Sequence, residues 1–363
     1  MISIIIPTFN EVKNIIPLIE SLISIIENFK YEIIVVDDDS PDGTSELVND
    51  YINKNDHVKL ITRVDRSGLS SAIKEGLIFA RGDYLLVLDG DGQHDPACIR
   101  NLLNKILEDQ TDLVIASRFL KSSKLKGLSG KRSFGSKIAN NAARISLNKN
   151  YINLTDYLSG CFCIKKKSAK NLLKRIEING FKFLFELLSV SNGRLLVREV
   201  PLLFKSRLYG KSKLDIANIW DFVISILHNF SFRILPRRAI SFGLVGLSGI
   251  FIQFLIVSLL TKIFFIGFYM ALPIAVVGAA SSNFLINNLL TFRFNKLKNL
   301  SLLFGYLKYL LVASLPIIAN IGITTTFYNY VARDKFVAQI AGIVIVYAWN
   351  YLASSTFIWN KSI

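Results

Sequence analysis

Acidic residues are almost missing from the C-terminal part of this chain of 363 residues. From Ser231 onward Asp334 is the only Asp or Glu, whereas eleven Lys and Arg residues lie in the same stretch, which gives it +10 of the formal net charge of +16. The basic residues stand between long apolar runs. This pattern is typical of membrane topology rather than of nucleic-acid binding. We therefore expect a lipid membrane, and no nucleic acid, as partner.

Cysteine is scarce as well, with Cys98, Cys161 and Cys163 in the whole chain. None has the spacing to histidine that a zinc site needs, and two of them lie in an apolar, strand-like run. The sequence therefore predicts burial as small apolar residues, not a metal or redox role. A basic leader is also absent from the run 1–7, which is typical of a first strand. We expect no cleavable signal peptide and a cytosolic N-terminal domain.

Strand-like and helix-like segments alternate through the first 120 residues. The predicted strands cover residues 2–6, 32–36, 58–62, 84–88 and 113–117, with helices at 15–29, from about 44, at 69–80 and at 96–107. This alternation predicts an α/β fold with a mostly parallel sheet covered by helices on both faces. Ligands bind such sheets at the carboxyl ends of the strands.

Polar motifs follow three of these strands, at residues 7–11, 37–44 and 89–94. Alternate residues of an extended segment point the same way, so Asp89 and Asp91 are expected to converge. With Gln93 they form an oxygen-rich set that suits Mg²⁺ or Mn²⁺. Such a metal would neutralise a diphosphate leaving group. The alternative is a plain surface turn.

The three motifs in this order resemble family-two glycosyltransferases with the GT-A fold. The run 37–44, together with Arg66-Ser67-Gly68-Leu69-Ser70-Ser71-Ala72, resembles dolichyl-phosphate mannose synthases over about residues 1–230. That resemblance implies a metal at Asp89, Asp91 and Gln93, a nucleobase and ribose site at Pro7, Phe9, Glu11 and Asp38, and phosphate contacts from Arg118, Arg132, Arg207 and Lys213. Asp156 is one further acidic candidate, with a turn or helix cap as its alternative role. Phe9 has core packing as its alternative, and the basic residues have solvated or headgroup-facing positions.

The reaction that the resemblance implies is inverting, metal-dependent transfer of a hexose to a polyprenyl phosphate. Mannose from GDP-mannose is the first expectation for the donor, with UDP-glucose or a UDP-N-acetylhexosamine as alternatives. Because the attacking phosphate is already an oxyanion, positioning and charge neutralisation suffice, and no strong base is required. A lipid-sugar flippase with a regulatory N-terminal domain is a further alternative. A processive polysaccharide synthase is disfavoured, since its usual Gln-x-x-Arg-Trp motif is absent.

The C-terminal part is expected to be an all-α membrane domain. Apolar runs near residues 240–260, 266–290, 303–328 and 337–359 are each long enough to span a bilayer. They repeat at an offset of 67 residues, which pairs Asn283 with Asn350 and Phe292 with Trp359. This region resembles the GtrA-like family of four-helix membrane proteins. Asn283, Asn287 and Asn350 are expected to hydrogen-bond between helices, with a lipid-handling site as the alternative.

The predicted domain boundaries are 1–213 for catalysis, 214–234 for a linker and 235–363 for the membrane part. The linker includes an amphipathic helix from Asp215 to Phe232, expected on the membrane surface, with a packed domain helix as the alternative. Eight basic residues flank the predicted spans on one side, namely Arg233, Arg237, Arg238, Arg293, Lys296, Lys298, Lys308 and Lys361. The other side has Lys262, Arg333 and Lys335. The positive-inside rule therefore places the catalytic domain and the 293–303 loop in the cytosol.

Overall fold

The computed structural model describes residues 1–64, 68–95, 97–108, 110–125, 130–177, 182–205, 216–331 and 335–359. The chain divides into two compact units, Met1–Phe230 and Ser231–Ile363. The finer division into three segments remains a prediction.

The first unit is built on a seven-stranded sheet in the order β3-β2-β1-β4-β7-β5-β8. The strands are β1 Ile2–Thr8, β2 Tyr31–Asp37, β3 Val58–Thr62, β4 Tyr84–Val87, β5 Leu113–Ser117, β6 Lys124–Leu125, β7 Phe162–Lys165, β8 Val197–Pro201 and β9 Leu203–Phe204. Strand β7 runs antiparallel to β4 and β5, and the other pairs of this sheet are parallel. Strands β6 and β9 form a separate parallel pair.

Helices follow most of the strands, as the α/β interpretation predicts. They are α1 Ile15–Ile26, α2 Thr44–Ile52, α3 Leu69–Phe79, α4 Ala97–Leu107, α5 Gly130–Ser146, α6 Lys166–Leu173, α7 Phe183–Ser191 and α8 Ile216–Phe230. Alternate residues of β1 enter different cores, because side chains of a strand point to opposite faces. Ile5 belongs to one buried cluster, whereas Ile4 and Ile6 belong to the other. Apolar layers therefore cover both faces of the sheet, which confirms the predicted fold class.

A buried ion pair ties strand β2 to its neighbours. Glu32 is 2% exposed and pairs with Lys59 of β3. Its Oε1 also accepts hydrogen bonds of 2.6 Å from Ser3 Oγ and from the backbone amide of Arg81. Burial acts to raise the pKa of Glu32, but the hydrogen bonds and the Lys59 charge outweigh it and lower the pKa below its ordinary value.

Helix α8 packs on the first unit with one face and leaves a second apolar face exposed. Ile224 and His228 are buried, and Phe222 contacts Phe185 edge-on at 5.6 Å between ring centroids. Ile216 and Ile219 on the other side are 74% and 51% exposed. The helix thus combines the two alternatives of the sequence, since it is packed against the domain and still offers an apolar face.

The second unit is helical. Its helices are α9 Arg237–Lys262, α10 Phe268–Ile286, α11 Asn299–Tyr330 and α12 Lys335–Phe357. Among the described residues, three stretches are long and apolar enough to cross a membrane: Arg237–Lys262, Phe268–Thr291 and Ile340–Phe357. In α11 a shorter apolar stretch, Asn299–Ser314, is found. Three candidate spans are therefore present, and the fourth predicted span remains a prediction.

Aromatic contacts in the second unit follow the 67-residue offset of the sequence. Phe292 and Trp359 correspond under this offset, and they stack on each other at 4.3 Å with parallel rings. Each is placed by the same backbone turn, in which the backbone amide of the aromatic residue donates to the carbonyl five residues before it. The Phe292 amide lies 2.8 Å from the Asn287 carbonyl oxygen, and the Trp359 amide lies 3.2 Å from that of Ser354. Corresponding residues in mutual contact are what a twofold relation between two hairpins produces. The two-hairpin repeat remains a prediction that these contacts support.

Three asparagines of the second unit are expected from the sequence to form hydrogen bonds between helices. The side-chain oxygens of Asn283, Asn287 and Asn350 are buried and accept no hydrogen bond from any described residue. Asn283 packs closely on α9, where a Cβ on Gly249 would lie 2.4 Å from its amide nitrogen. These oxygens therefore make no helix-to-helix hydrogen bond to a described residue, and bonding through the amide nitrogens of the same side chains remains a prediction. Asn288 makes such contacts instead, accepting from the Trp359 indole N–H at 3.1 Å.

Candidate active site

The first two polar motifs lie side by side at the carboxyl ends of β1 and β2. The backbone amide of Asn10 donates to Ser40 Oγ at 2.9 Å, and that of Glu11 donates to Thr44 Oγ1 at 3.0 Å. The Glu11 carboxylate accepts from Asn14 Nδ2 at 2.7 Å. Pro7 is buried within β1, and Phe9 is half-buried just beyond it. The structure thus brings the predicted nucleobase residues of both motifs to one edge of the sheet.

Asp38 is held by a cation that the sequence reasoning missed. Arg63 Nη1 donates to Asp38 Oδ1 at 2.7 Å, and the Gly68 amide donates to Asp38 Oδ2 at 2.8 Å. The same guanidinium reaches Glu75 through Nε at 3.0 Å and also contacts Ser71. Arg63 therefore orients Asp38, whose predicted role at the ribose depends on that orientation.

The third motif packs directly against the first. A Cβ on Gly90 would lie 3.2 Å from the Pro7 carbonyl oxygen, so this position favours glycine. Asp91 Oδ1 accepts the Gln93 amide at 3.1 Å, and Gln93 Nε2 donates to the Lys205 carbonyl at 3.0 Å. These bonds fix the turn that carries the predicted metal ligands.

The Asp89 carboxylate lies in a buried position that disfavours its negative charge. Its carboxylate lies against Gly160, where a Cβ would be 2.0 Å from Oδ2. Burial raises the pKa of Asp89 above its ordinary value, and Asp91 adds to this, while the positive charges of Lys182 and Arg118 act in the opposite direction. Two carboxylates that share a partly buried turn are stabilised by a cation placed between them.

The donor set therefore fits Mg²⁺ or Mn²⁺, because it consists of carboxylate and amide oxygens near a place that disfavours uncompensated negative charge. Within the described residues no three His, Cys, Asp or Glu side chains are grouped closely enough to hold a metal by themselves. Two carboxylates, the Gln93 amide and oxygens of a bound diphosphate would have to share the coordination.

Arg118 and Asp156 form a bidentate ion pair at the end of β5. Arg118 Nε lies 2.8 Å from Asp156 Oδ2, and Arg118 Nη2 lies 2.9 Å from Oδ1. Asp156 is fully buried, and the backbone amides of Arg118 and Leu158 each donate to it at 3.1 Å. The Asp156 carboxylate thus accepts four hydrogen bonds, two from the Arg118 guanidinium and two from backbone amides beside it. This geometry favours an orienting role for Asp156.

Two family models match the chain. Residues 3–173 match glycosyl transferase family 2, and residues 241–359 match the GtrA/DPMS transmembrane domain. A dolichol-phosphate mannosyltransferase from Pyrococcus furiosus is 32% identical over 99% of this chain and 99% of its own length. The chain belongs to glycosyl transferase family 2. It is a glycosyltransferase, and its GtrA/DPMS domain and three apolar helices make it a membrane protein.

Other relatives cover part of this transferase. A dolichol-phosphate mannosyltransferase from Mycosarcoma maydis is 31% identical over 71% of the chain and 85% of its own length. Among solved structures, glucosyl-3-phosphoglycerate synthase from Mycobacterium tuberculosis, in complex with Mn²⁺, UDP-glucose and phosphoglyceric acid, superposes with a TM-score of 0.47. It is 19% identical and covers 63% of this chain and 79% of its own.

Some predicted site residues of the transferase lie beyond what the structure describes. Arg207 and Lys213 fall in the 206–215 segment, outside the described residues. Arg132 lies in the first turn of α5, and its side chain is outside the description too. Their roles remain predictions. The three cysteines are buried and free, as expected.

Lys182 is the functional candidate that the sequence reasoning missed. It stands at the N-terminal end of α7, and burial lowers the pKa of its ammonium group while Asp89 acts to raise it. Arg118, Asp156 and Asp91 also lie within electrostatic reach. The only available signal was a single lysine in the apolar stretch Gly180-Phe181-Lys182-Phe183. Arg118 and Lys182 are thus two described cations near Asp89, in addition to Arg63 beside Asp38.

Proposed function

We propose that this protein transfers a mannosyl group from GDP-mannose to a polyprenyl phosphate at the cytosolic face of a membrane, with inversion at the anomeric carbon. The observation that carries this proposal is the juxtaposition of the Asp89/Asp91 turn with the Arg118–Asp156 pair at one edge of the sheet. One element suits a sugar diphosphate with its metal, and the other suits an anionic acceptor. The names of the Pyrococcus furiosus and Mycosarcoma maydis relatives support mannose and a dolichol-type lipid.

On the donor side, Asp89, Asp91 and Gln93 would hold a divalent cation. When bound, that cation supplies charge neutralisation for the departing diphosphate. The described residues of the first two motifs supply the rest of the donor site. Asp38, oriented by Arg63, is placed for the ribose, and Phe9 offers an aromatic face to the base. The Arg63–Asp38 ion pair holds the Asp38 carboxylate before the donor arrives, which lowers the entropic cost of orienting the donor.

On the acceptor side, the main obstacle is repulsion between an anionic lipid phosphate and an anionic donor. Arg118 is pre-oriented by its two parallel hydrogen bonds to Asp156, and its positive charge counters the repulsion between the two anions. Lys182 adds a second positive charge within electrostatic reach of Asp89. Because the phosphate oxygen is already ionised, the residues have to position it and stabilise charge rather than remove a proton.

The membrane domain supports the lipid acceptor and the orientation. Three candidate spans follow the catalytic unit, and α8 exposes an apolar face just before them. The distribution of basic residues around the spans predicts that the catalytic unit faces the cytosol, where nucleotide sugars are made.

The experiment is a donor panel. Purified full-length protein in detergent is incubated with polyprenyl phosphate, Mg²⁺ or Mn²⁺, and labelled GDP-mannose, UDP-glucose or UDP-N-acetylglucosamine, and the lipid is then extracted. We expect label in the lipid from GDP-mannose. If only a UDP-sugar labels the lipid, the proposed donor is wrong, whereas the proposed transfer to polyprenyl phosphate stands. Absence of lipid-linked label with every donor would overturn the proposed function and favour a flippase role.

A further inference from the structure

Glu199 of β8 makes an unusual set of hydrogen bonds to a loop more than 40 residues away. Its two carboxylate oxygens accept the backbone amide of Thr155 at 2.9 and 3.0 Å and the Thr155 hydroxyl at 3.0 and 3.1 Å. Oε1 also accepts the backbone amide of Asp156 at 2.9 Å. One carboxylate thus holds two consecutive residues, and all of these donors are uncharged.

The residue that Glu199 holds is the one that orients Arg118. Asp156 is fully buried, and both of its oxygens are engaged by the Arg118 guanidinium at 2.8 and 2.9 Å. Glu199 lies opposite Ile115 in the parallel pairing of β5 with β8, three residues before Arg118. Glu199 therefore binds the backbone amide of Asp156, and the Asp156 carboxylate in turn binds the Arg118 guanidinium.

A hydroxyl contact closes the arrangement. Ser117 Oγ lies 2.6 Å from Thr155 Oγ1. Since the Thr155 hydroxyl donates its proton to Glu199, Ser117 must be the donor of this bond. Ser117 Oγ in turn accepts the Phe119 amide at 3.1 Å. The backbone on both sides of Arg118 is thereby connected to the same Glu199 carboxylate.

We propose that Glu199 is a positioning residue, which fixes the backbone of Thr155 and Asp156 and through Asp156 holds the Arg118 guanidinium where it meets the acceptor phosphate. This inference rests on the proposed function, in which Arg118 contacts that phosphate. A displacement of about 1 Å in such a clamp can cost about 10²-fold in rate. A substitution of Glu199 would cause such a displacement from a neighbouring strand, without removing a residue that contacts the substrate.

The substitution Glu199→Gln tests this with little change in volume. It replaces one acceptor oxygen by an NH₂ group that faces the buried donors of Thr155 and Asp156, and a buried donor without an acceptor is costly. Burial raises the pKa of Glu199 above its ordinary value, although the hydrogen bonds from Thr155 and Asp156 act to lower it. We expect kcat to fall about 10-fold to 10²-fold, with KM for the nucleotide sugar changed less than about threefold.

A double-mutant cycle separates positioning from general damage. In an Arg118→Lys background the bidentate clamp is already lost, so adding Glu199→Gln should change kcat by less than about twofold. The matched control is Arg198→Gln, the exposed neighbour on the same strand, which should retain the wild-type kcat. Equal losses from Glu199→Gln in both backgrounds, or no loss in the wild-type background, would overturn the inference.

A second readout needs no substrate. Hydrogen exchange of the Thr155 and Asp156 amides, measured on the full chain in detergent, should accelerate in Glu199→Gln and stay unchanged in Arg198→Gln. Unchanged exchange would overturn the inference even if activity fell. If Glu199→Gln does not fold, Thr155→Val should reduce kcat and Thr155→Ser should restore it, and equal activity of both variants would contradict the arrangement. Failure of the proposed function is distinguishable, because it appears as absence of lipid-linked sugar from the wild-type chain with every donor.

Discussion

Gly160 offers a direct test of how strictly Asp89 must be placed. A Cβ at this position would lie 2.0 Å from Asp89 Oδ2 and 2.6 Å from its Cγ, whereas ordinary contact begins at 3.4 Å. In Gly160→Ala the carboxylate must therefore move by about 1.4 Å, on the scale at which misplacement costs about 10²-fold in rate. Gly160 is not among the residues with positive φ, so alanine adds no backbone strain of its own.

The assay compares transfer rate and metal dependence of Gly160→Ala with the wild-type chain. We expect kcat to fall about 10²-fold or more and the Mn²⁺ concentration for half-maximal rate to rise, while the melting temperature changes little. Gly246→Ala is the control, since a Cβ there meets no atom within 4 Å. A Gly160→Ala variant with wild-type rate and unchanged metal dependence would refute the reasoning that places Asp89 at the metal.

Three further predictions concern the acceptor, stability and topology. Arg207→Ala should slow transfer by about 10²-fold or more with little change in donor binding, and a collapse of donor binding instead would assign Arg207 to the diphosphate. The lowered pKa of Glu32 means that its ionised form contributes stability above its ordinary pKa and loses that contribution as the pH falls through the folded-state value. Glu32→Gln should therefore lower the free energy of unfolding by about 1–3 kcal/mol at neutral pH. The difference in melting temperature between the wild type and Glu32→Gln should narrow below about pH 4, and a difference that stays constant would contradict this. In a cysteine-free variant, an impermeant thiol reagent added outside should label Asp334→Cys and not Lys298→Cys, and the reverse pattern would invert the topology.

Four of the five strands predicted in the first half, β1, β2, β4 and β5, were predictable from the sequence because they are buried on both faces. Such strands are continuous apolar runs, and β5 was predicted with its observed ends, Leu113–Ser117. Strand β1 extends two residues beyond the predicted end, since Pro7 and Thr8 continue the parallel pairing with β2. The antiparallel β7 has four residues and continues directly into α6, and its pairing with β4 depends on contacts that no local pattern encodes.

The site was predictable in its acidic turns and much less so in the groups that hold them. Asp89 and Asp91 stand in a local motif whose spacing carries the information. Arg63, Lys182 and Glu199 act on partners far along the chain, as in the Glu199–Thr155 contact across 44 residues. Such pairings are created by the sheet order, so a single sequence gives no signal for them.

The measurement that tests the central claim most directly is metal-dependent transfer by the purified chain and its Asp91→Ala variant. Labelled mannose from GDP-mannose should enter polyprenyl phosphate in the wild type, stop with EDTA and return with Mg²⁺ or Mn²⁺. Asp91→Ala should stay folded and lose several kcal/mol of transition-state stabilisation, a rate loss of at least about 10²-fold that added metal does not restore. Full activity of Asp91→Ala, or transfer that persists in EDTA, would contradict the account.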